Sequence, residues 1–257
     1  MDLNHAVVVI TGGVGGIGSA LGEAFAAAGA VSVSADLPGR GADIDLDVTD
    51  VDATRRALSE LRAHRGRLDV VIANAGVGVG GLVEDISGAD WDRCIDVNIR
   101  GTANTVQAAY PLLVEAGRGA LVLMASLSGL LATPLLTPYA MTKHAVVGLG
   151  ASLRPEAARH GVGVTVVCPG PVDTPLLDES GSTRGMNVRR YLTAAGGKPL
   201  APAQLAEAVV AGVRHDRGLV IPGRAALLWR LNRMAPNAVG KVIGRNVRDE
   251  VAAAVRS

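Results

Sequence analysis

Two patterns of apolar positions alternate along this chain. Apolar runs of strand length occupy residues 6–11, 31–35, 68–73, 120–125, 162–168 and 218–221, and each predicts a strand; 6–11 is continuous and β-branched, and 120–125 reads as a buried strand. A shorter strand is expected over 41–48. Between these runs, apolar residues recur at three- and four-residue spacing over 17–28, 49–64, 89–115, 138–160 and 202–214, which predicts helices. Gly29 closes the first of them, Thr49 or Asp50 caps the second, and Pro202 opens the last. Strands alternating with helices in this way predict an α/β fold: a doubly wound parallel sheet of about seven strands with helices on both faces.

Composition narrows the class of partner. At 257 residues the chain fits one domain spanning 1–257, with 49% hydrophobic residues, 19% charged residues and a formal net charge of +1. That balance argues against disorder and against a general nucleic-acid footprint. Aromatic residues make up only 2%, so the core must come from Ala, Val and Leu. The N-terminal apolar run is short and lacks a basic leader, and the two isolated cysteines, Cys94 and Cys168, offer neither a disulfide framework nor a metal spacing. A cytoplasmic setting and no metal are expected. Residues 119–142 carry no charge and are long enough to nominate a membrane span. Pro134, Pro138 and Gly129 would break such a helix, and a buried strand followed by a loop explains the apolarity better. His64, His160 and His215 fall near predicted helix C-termini, where a donor suits the dipole.

The candidate chemistry lies in the connections. TGGVGGIG at 11–18 joins a strand to a helix, so that Gly12, Gly16 and Gly18 permit a tight turn, close approach of a pyrophosphate and close helix packing. Asp36 ends the next strand, eighteen residues past Gly18, where a carboxylate can accept from ribose hydroxyls and repel a 2′-phosphate. Arg40 is the one nearby cation that a 2′-phosphate could use. Asp47 ends the following short strand, within reach of an adenine amino group or as a plain turn residue. Tyr139 and Lys143 stand four apart on one helical face. At about 5 Å and an effective dielectric of about 20, an ammonium attracts a phenolate by roughly 3 kcal/mol, enough to draw Tyr139 from about 10 towards neutrality. Ser126 emerges at the C-terminal edge of its strand, the edge on which open α/β sheets carry their sites. Asn98 is a poor helix former inside a long helical stretch, so its amide either packs against that edge or bends the helix.

Taken together and in order, TGGVGGIG, Asp36, Asp47, Asn74-Ala75-Gly76, Asn98, Ser126, YAMTK at 139–143 and CPGPVDT at 168–174 resemble the short-chain dehydrogenase/reductase family over residues 6–175. The three residues between Gly12 and Gly16 resemble its small single-domain branch. Ala73 departs from the pattern, since many members carry a second Asn there. The resemblance implies a Rossmann-type fold and an NAD-dependent oxidoreductase interconverting a secondary alcohol and a ketone. It implies that Tyr139 exchanges the substrate proton, that Ser126 bonds the substrate oxygen, and that Lys143 holds the nicotinamide ribose and lowers Tyr139. Asn98 would anchor a water linking Lys143 to solvent, and Thr11 would steady the Asn74 turn. The implied cofactor contacts are Thr11, Gly12, Gly16, Ile17, Gly18, Asp36, Asp47, Val48, Asn74, Ala75, Gly76, Tyr139, Lys143, Pro169, Gly170, Val172 and Thr174. An NADPH-dependent ketone or 3-ketoacyl reductase and a noncatalytic NAD sensor are the alternatives, and the intact Ser126–Tyr139–Lys143 set argues against the sensor.

Beyond Thr174 the pattern thins. Residues 176–200 mix charge and glycine with few periodic apolar positions, which suits a mobile substrate lid, the favoured reading, and also a disordered loop. From Gly223, apolar residues at helical spacing are interleaved with arginines. This basic amphipathic extension is read as covering the core, the pocket or a neighbouring subunit, with peripheral contact of 223–248 to an anionic membrane as the second reading. Small residues on 89–115 and 138–160, among them Gly101, Ala103, Ala108, Ala109, Gly148, Gly150 and Ala151, permit close helix packing. The corresponding helices commonly form a subunit interface in the family, so a homotetramer or homodimer is expected. Val77, Val79, Leu127, Leu130, Leu131, Leu135, Leu136, Leu176 and Leu177 would make an apolar mouth for the small-molecule alcohol or ketone. Arg184, Arg189 and Arg190 instead raise the prospect of an acidic substrate.

Overall fold

A computed structural model of the chain describes residues 1–179 and 187–254. Among these residues seven strands form one parallel sheet: β1 (Val7–Thr11), β2 (Val31–Asp36), β3 (Ile44–Asp45), β4 (Val70–Ala73), β5 (Gly119–Met124), β6 (Val162–Val167) and β7 (Leu219–Val220). Their order is β3-β2-β1-β4-β5-β6-β7, so the winding reverses between β1 and β4. β1, β4 and β5 are almost wholly buried, which is why their sequences read as unbroken apolar runs. The expected strand over 41–48 shrinks to two residues. There the Asp43 carboxylate takes the Ser34 N–H at 2.8 Å and its hydroxyl at 2.7 Å, so a side chain occupies the edge of β2 that a longer β3 would pair.

Helices cover both faces. On one side α2 (Val51–Arg65), α4 (Thr102–Ala116) and α5 (Thr137–Ala158) bury Leu58, Leu113 and Val146 against Val9, Val71 and Leu121. On the other, α1 (Gly16–Ala27) and α8 (Pro202–Arg214) bury Leu21, Phe25, Leu205 and Val209 against Val8, Ile72 and Val122. Asp50 caps α2 by accepting from Ala53 N at 2.8 Å, which decides between the two expected caps.

The helical stretch over 89–115 is three pieces: α3 (Gly88–Ile95), a π-helical turn at Asp96–Gly101, and α4. Asn98 sits in that turn, where the helix widens locally and the amide bonds outward to the loop after β4. The small residues on these helices largely serve the monomer. A Cβ on Gly101 would run into Val48 and one on Gly150 into Val166, and Ala108 and Ala109 are buried. Ala103, Gly148 and Ala151 remain exposed.

After β6 the chain builds a second layer. The expected loop over 176–200 contains α6 (Leu176–Glu179) and α7 (Val188–Gly196), and residues 180–186 of that stretch lie outside the described residues. The extension forms α9 (Ala225–Met234) and α10 (Pro236–Ala254), with α10 packed on both α7 and α9. No described helix is long and apolar enough to cross a membrane.

Candidate active site

The C-terminal ends of β1, β2, β4, β5 and β6 open on one edge, and the first two make a cradle of backbone. Gly12 has φ +63°, and a Cβ there would stand 2.9 Å from the Ala75 Cα, so the β1 turn and the β4 turn approach as only glycine allows. Gly18 lies against the Gly12 carbonyl in the same way, and Gly16 faces the Thr174 methyl group. Gly15 caps α1 without a side-chain bond, which leaves the first-turn N–H groups aimed at the edge, an arrangement that suits a phosphate. Thr11 is buried, and its Oγ1 accepts from Asn74 N at 3.0 Å and Ala75 N at 3.1 Å. Asn74 answers by donating from Nδ2 to the carbonyls of Thr11 and Gly12.

Asp36 is buried at the end of β2. Its carboxylate accepts from Val14 N at 3.1 Å and Leu37 N at 2.9 Å, and Arg40 approaches to 3.7 Å. It therefore organises the glycine turn as well as facing the edge, and the bond to Val14 was not legible from spacing. Asp47 accepts from the Thr49 N–H and hydroxyl. Val48 is packed against Gly101, with its carbonyl taken by Asn104. Neither Asp47 nor Val48 lines the mouth, whereas Ile17, Asn74, Gly76, Pro169, Gly170, Val172 and Thr174 do.

Ser126, Tyr139 and Lys143 share that mouth. Ser126 follows β5 and accepts from Ser128 N through Oγ at 3.1 Å, which opens a short 3-10 turn over Leu127–Gly129. Pro138 lies in the first turn of α5, so Tyr139 and Lys143 project from the helix start. Lys143 is 4% exposed; its Nζ donates to the Met124 carbonyl at 2.8 Å and lies 5.6 Å from the Tyr139 ring centre. A Cβ on Gly76 would sit 3.1 Å from Asn98 Oδ1 and 3.5 Å from Lys143 Nζ, which explains the glycine at that place. Asn98 Oδ1 accepts from Val77 N at 2.8 Å, while Nδ2 donates to the Val77 carbonyl and to Thr142 Oγ1, both at 3.0 Å. Its amide thus ties the β4 loop to α5, with Thr142 as an intermediary that the sequence reading did not single out.

The electrostatics run against expectation. Part of Tyr139 stays open to the mouth, yet burial pushes its phenol up to about 12, with the neighbouring Ser126 hydroxyl acting in the opposite direction. Burial likewise pulls Lys143 down to about 8. The spacing predicts that Coulomb attraction across some 5 Å dominates, but burial penalises both charges before they can help each other. Tyr139 is therefore a protonated donor at neutral pH.

The outer wall is apolar and comes from the second layer. Leu127, Leu131, Leu136, Leu176 and Leu177 line the mouth as expected, joined by Tyr191 and Leu192 of α7, Leu228 of α9 and Ile243 of α10. Val77, Val79, Leu130 and Leu135 do not line it; Leu135 instead packs on Tyr191. The two described arginines of the 176–200 stretch are engaged within the protein. Arg189 bonds Asp173 at 2.6 Å and Asp178 at 2.8 Å, and Arg190 forks onto Glu250 at 2.7 and 2.9 Å. Arg184 lies outside the described residues. No described cluster of His, Cys, Asp or Glu is arranged to hold a metal.

Comparison with known proteins agrees with this geometry. The sequence model described as short chain dehydrogenase matches residues 6–185. Oxidoreductase UcpA of Escherichia coli (strain K12) is 35% identical over 191 residues, covering 68% of this chain and 73% of that protein. The 3-oxoacyl-(acyl-carrier-protein) reductase FabG of Thermotoga maritima is 31% identical over 194 residues, covering 70% and 79%. A solved short chain dehydrogenase/reductase from Burkholderia phymatum in complex with NAD superposes with a TM-score of 0.82 at 26% identity, over 93% of this chain and 96% of that one. The 3-ketoacyl-(acyl-carrier-protein) reductase from Brucella melitensis complexed with NADH gives 0.79 at 25% identity, over 87% and 99%. The chain belongs to the short-chain dehydrogenase/reductase family: it is a nucleotide-binding oxidoreductase with a Rossmann-type fold.

Proposed function

We propose that the whole chain acts as one catalytic unit, a cytoplasmic NAD-dependent dehydrogenase that interconverts a largely apolar secondary alcohol and its ketone. The observation that carries the reading is the meeting of Ser126, Tyr139 and Lys143 with an apolar wall at the mouth of the glycine cradle. NAD, when bound, supplies the hydride chemistry, and the chain supplies orientation and proton transfer. In reduction Tyr139 donates its hydroxyl proton to the substrate oxygen, and in oxidation it takes that proton back; Ser126 bonds the same oxygen. Lys143 keeps N–H groups beyond the one given to Met124, and these are offered to the nicotinamide ribose. Asn98 positions the Gly76–Val77 segment beside Lys143 and supports a water path from it. Asp36 accepts the adenosine ribose hydroxyls, with Asp47 and Val48 at the adenine side.

The engagement of Arg189 and Arg190 by internal carboxylates favours an apolar substrate over a hydroxy acid. Arg40, 58% exposed and 3.7 Å from Asp36, favours a second reading, an NADPH-dependent ketone or 3-ketoacyl reductase in which Arg40 turns to a 2′-phosphate. The exposed Ala103, Gly148 and Ala151 leave a helix face for a homodimer or homotetramer. Assaying the protein with NAD and with NADP against 2-alkanols, cyclic alcohols and matched hydroxy acids tests the reading. NAD-linked oxidation that strengthens with apolar bulk is expected, and a preference for NADP or for hydroxy acids would overturn it.

A further inference from the structure

The outer faces of α9 and α10 carry side chains that neither the core nor the site uses. On α9, Leu227, Leu231 and Met234 recur at i, i+4 and i+7 and are 61%, 46% and 83% exposed. Arg224 and Arg230 flank that row on either side, both exposed. On α10, Val242 is 58% exposed between Lys241 and Arg245. From Arg217 to Arg248 the sequence holds seven cations and no carboxylate. Arg224, Arg230, Lys241 and Arg245 form no ion pair among the described residues. The inward face of α9 is ordinary core: Ala225, Leu228 and Trp229 pack on Leu127 and Leu131, beside Ser126.

We propose that α9 and α10 dock this protein onto an anionic phospholipid surface. Leu227, Leu231 and Met234 enter the boundary between headgroups and acyl chains, and the flanking arginines reach lipid phosphates while their stems cover apolar surface. Charge complementarity selects this occupant. A second copy meeting the same face about a two-fold axis would set these cations against each other, with Asp249 the one exposed carboxylate on that face of α10 to offset them. A bilayer with anionic lipid presents the opposite sign over the whole patch. Because Leu228 lines the mouth and stands only about a quarter turn round α9 from Leu227, the docked orientation puts the apolar mouth next to lipid. Delivery of substrate from the membrane rests on the proposed dehydrogenase reading, but docking itself does not.

Sedimentation of the full chain with vesicles tests docking without reference to turnover. Vesicles of phosphatidylcholine with about 30% phosphatidylglycerol should carry the protein down, pure phosphatidylcholine should not, and added salt should release it. Since each near-surface cation contributes about fivefold in binding, the combined change Arg230→Glu, Lys241→Glu and Arg245→Glu should weaken it at least tenfold. Leu227→Ser with Met234→Ser should weaken it even at low salt. Circular dichroism shows whether each variant is folded, and if one is not, the contrast between the two vesicles with unaltered protein decides. Equal binding to both vesicles, binding to neither, or charge reversal without effect in a folded variant would overturn the proposal. So would light scattering in which the same changes dissociate an oligomer while lipid binding persists.

Discussion

The two halves of the site are built from different materials. The cofactor side is backbone against backbone: the Gly12 turn touches Ala75, Gly18 touches Gly12, and the Thr11 and Asn74 side chains make five hydrogen bonds with main-chain groups. The substrate side is side chain against side chain, with α7, α9 and α10 presenting Tyr191, Leu228 and Ile243 and held in place by the pairing of Arg190 with Glu250. A backbone cradle admits little variation, because a Cβ at Gly12 or Gly18 meets main-chain atoms with nowhere to go. A wall of side chains tolerates exchange of one apolar residue for another, so one scaffold can keep its chemistry while its substrate changes.

The largest effect should come from the point where the halves meet. Tyr139→Phe removes the hydroxyl to which the proposed reaction assigns the substrate proton, so turnover should fall by at least about 10²-fold while NAD titrated by fluorescence binds as before. The same residue sets a pH dependence. With its phenol held up to about 12, the base form is scarce at neutral pH, so alcohol oxidation should climb between about pH 7 and 10 and ketone reduction should not. An oxidation rate independent of pH over that range would mean that another group takes the proton.

On the cofactor side, Asp36→Ala should loosen NAD far more than NADP, narrowing or inverting the preference, as fluorescence titration with each would show. It should also slacken the glycine turn, since Asp36 holds Val14 N. A smaller effect is expected at the clamp on the substrate side. Arg190 holds the Glu250 carboxyl below its usual value of 4.5, so the folded state has the depressed pKa. The clamp is then fully present above that value and is lost as pH falls through the folded one. Trp229 fluorescence should report loosening of the α9–α10 layer in acid, and Glu250→Gln should show it already at neutral pH.

How much of this was legible in the sequence follows from the same contrast. Backbone approach leaves glycines at fixed spacing, strand ends leave Asp36 and Ser126 after apolar runs, and the sheet itself was plain. The wall was not. Val188, Tyr191 and Leu192 of α7 do recur at helical spacing, but the adjacent arginines read as a solvated or ligand-binding loop because their partners Asp173, Asp178 and Glu250 lie 11 to 60 residues away. Leu228 and Ile243 could be placed on helices and not over a pocket, since periodicity says which residues share a face and not what that face meets. The direction of the Tyr139 shift was misjudged for a related reason. Spacing gave the distance to Lys143, while burial, which decides the sign, is a property of the assembled site.

The most direct test of this division is Leu228→Ala, read twice on the same protein. Removing three carbons from the wall should lower kcat/KM for long or cyclic secondary alcohols by roughly tenfold, the scale of one to two buried methylenes, and leave 2-propanol nearly unchanged. NAD affinity should stay within about twofold, as the cradle is untouched. Cofactor affinity and alcohol selectivity falling together would contradict the account, because it would mean that the two halves are one structure and not a fixed cradle behind an exchangeable wall.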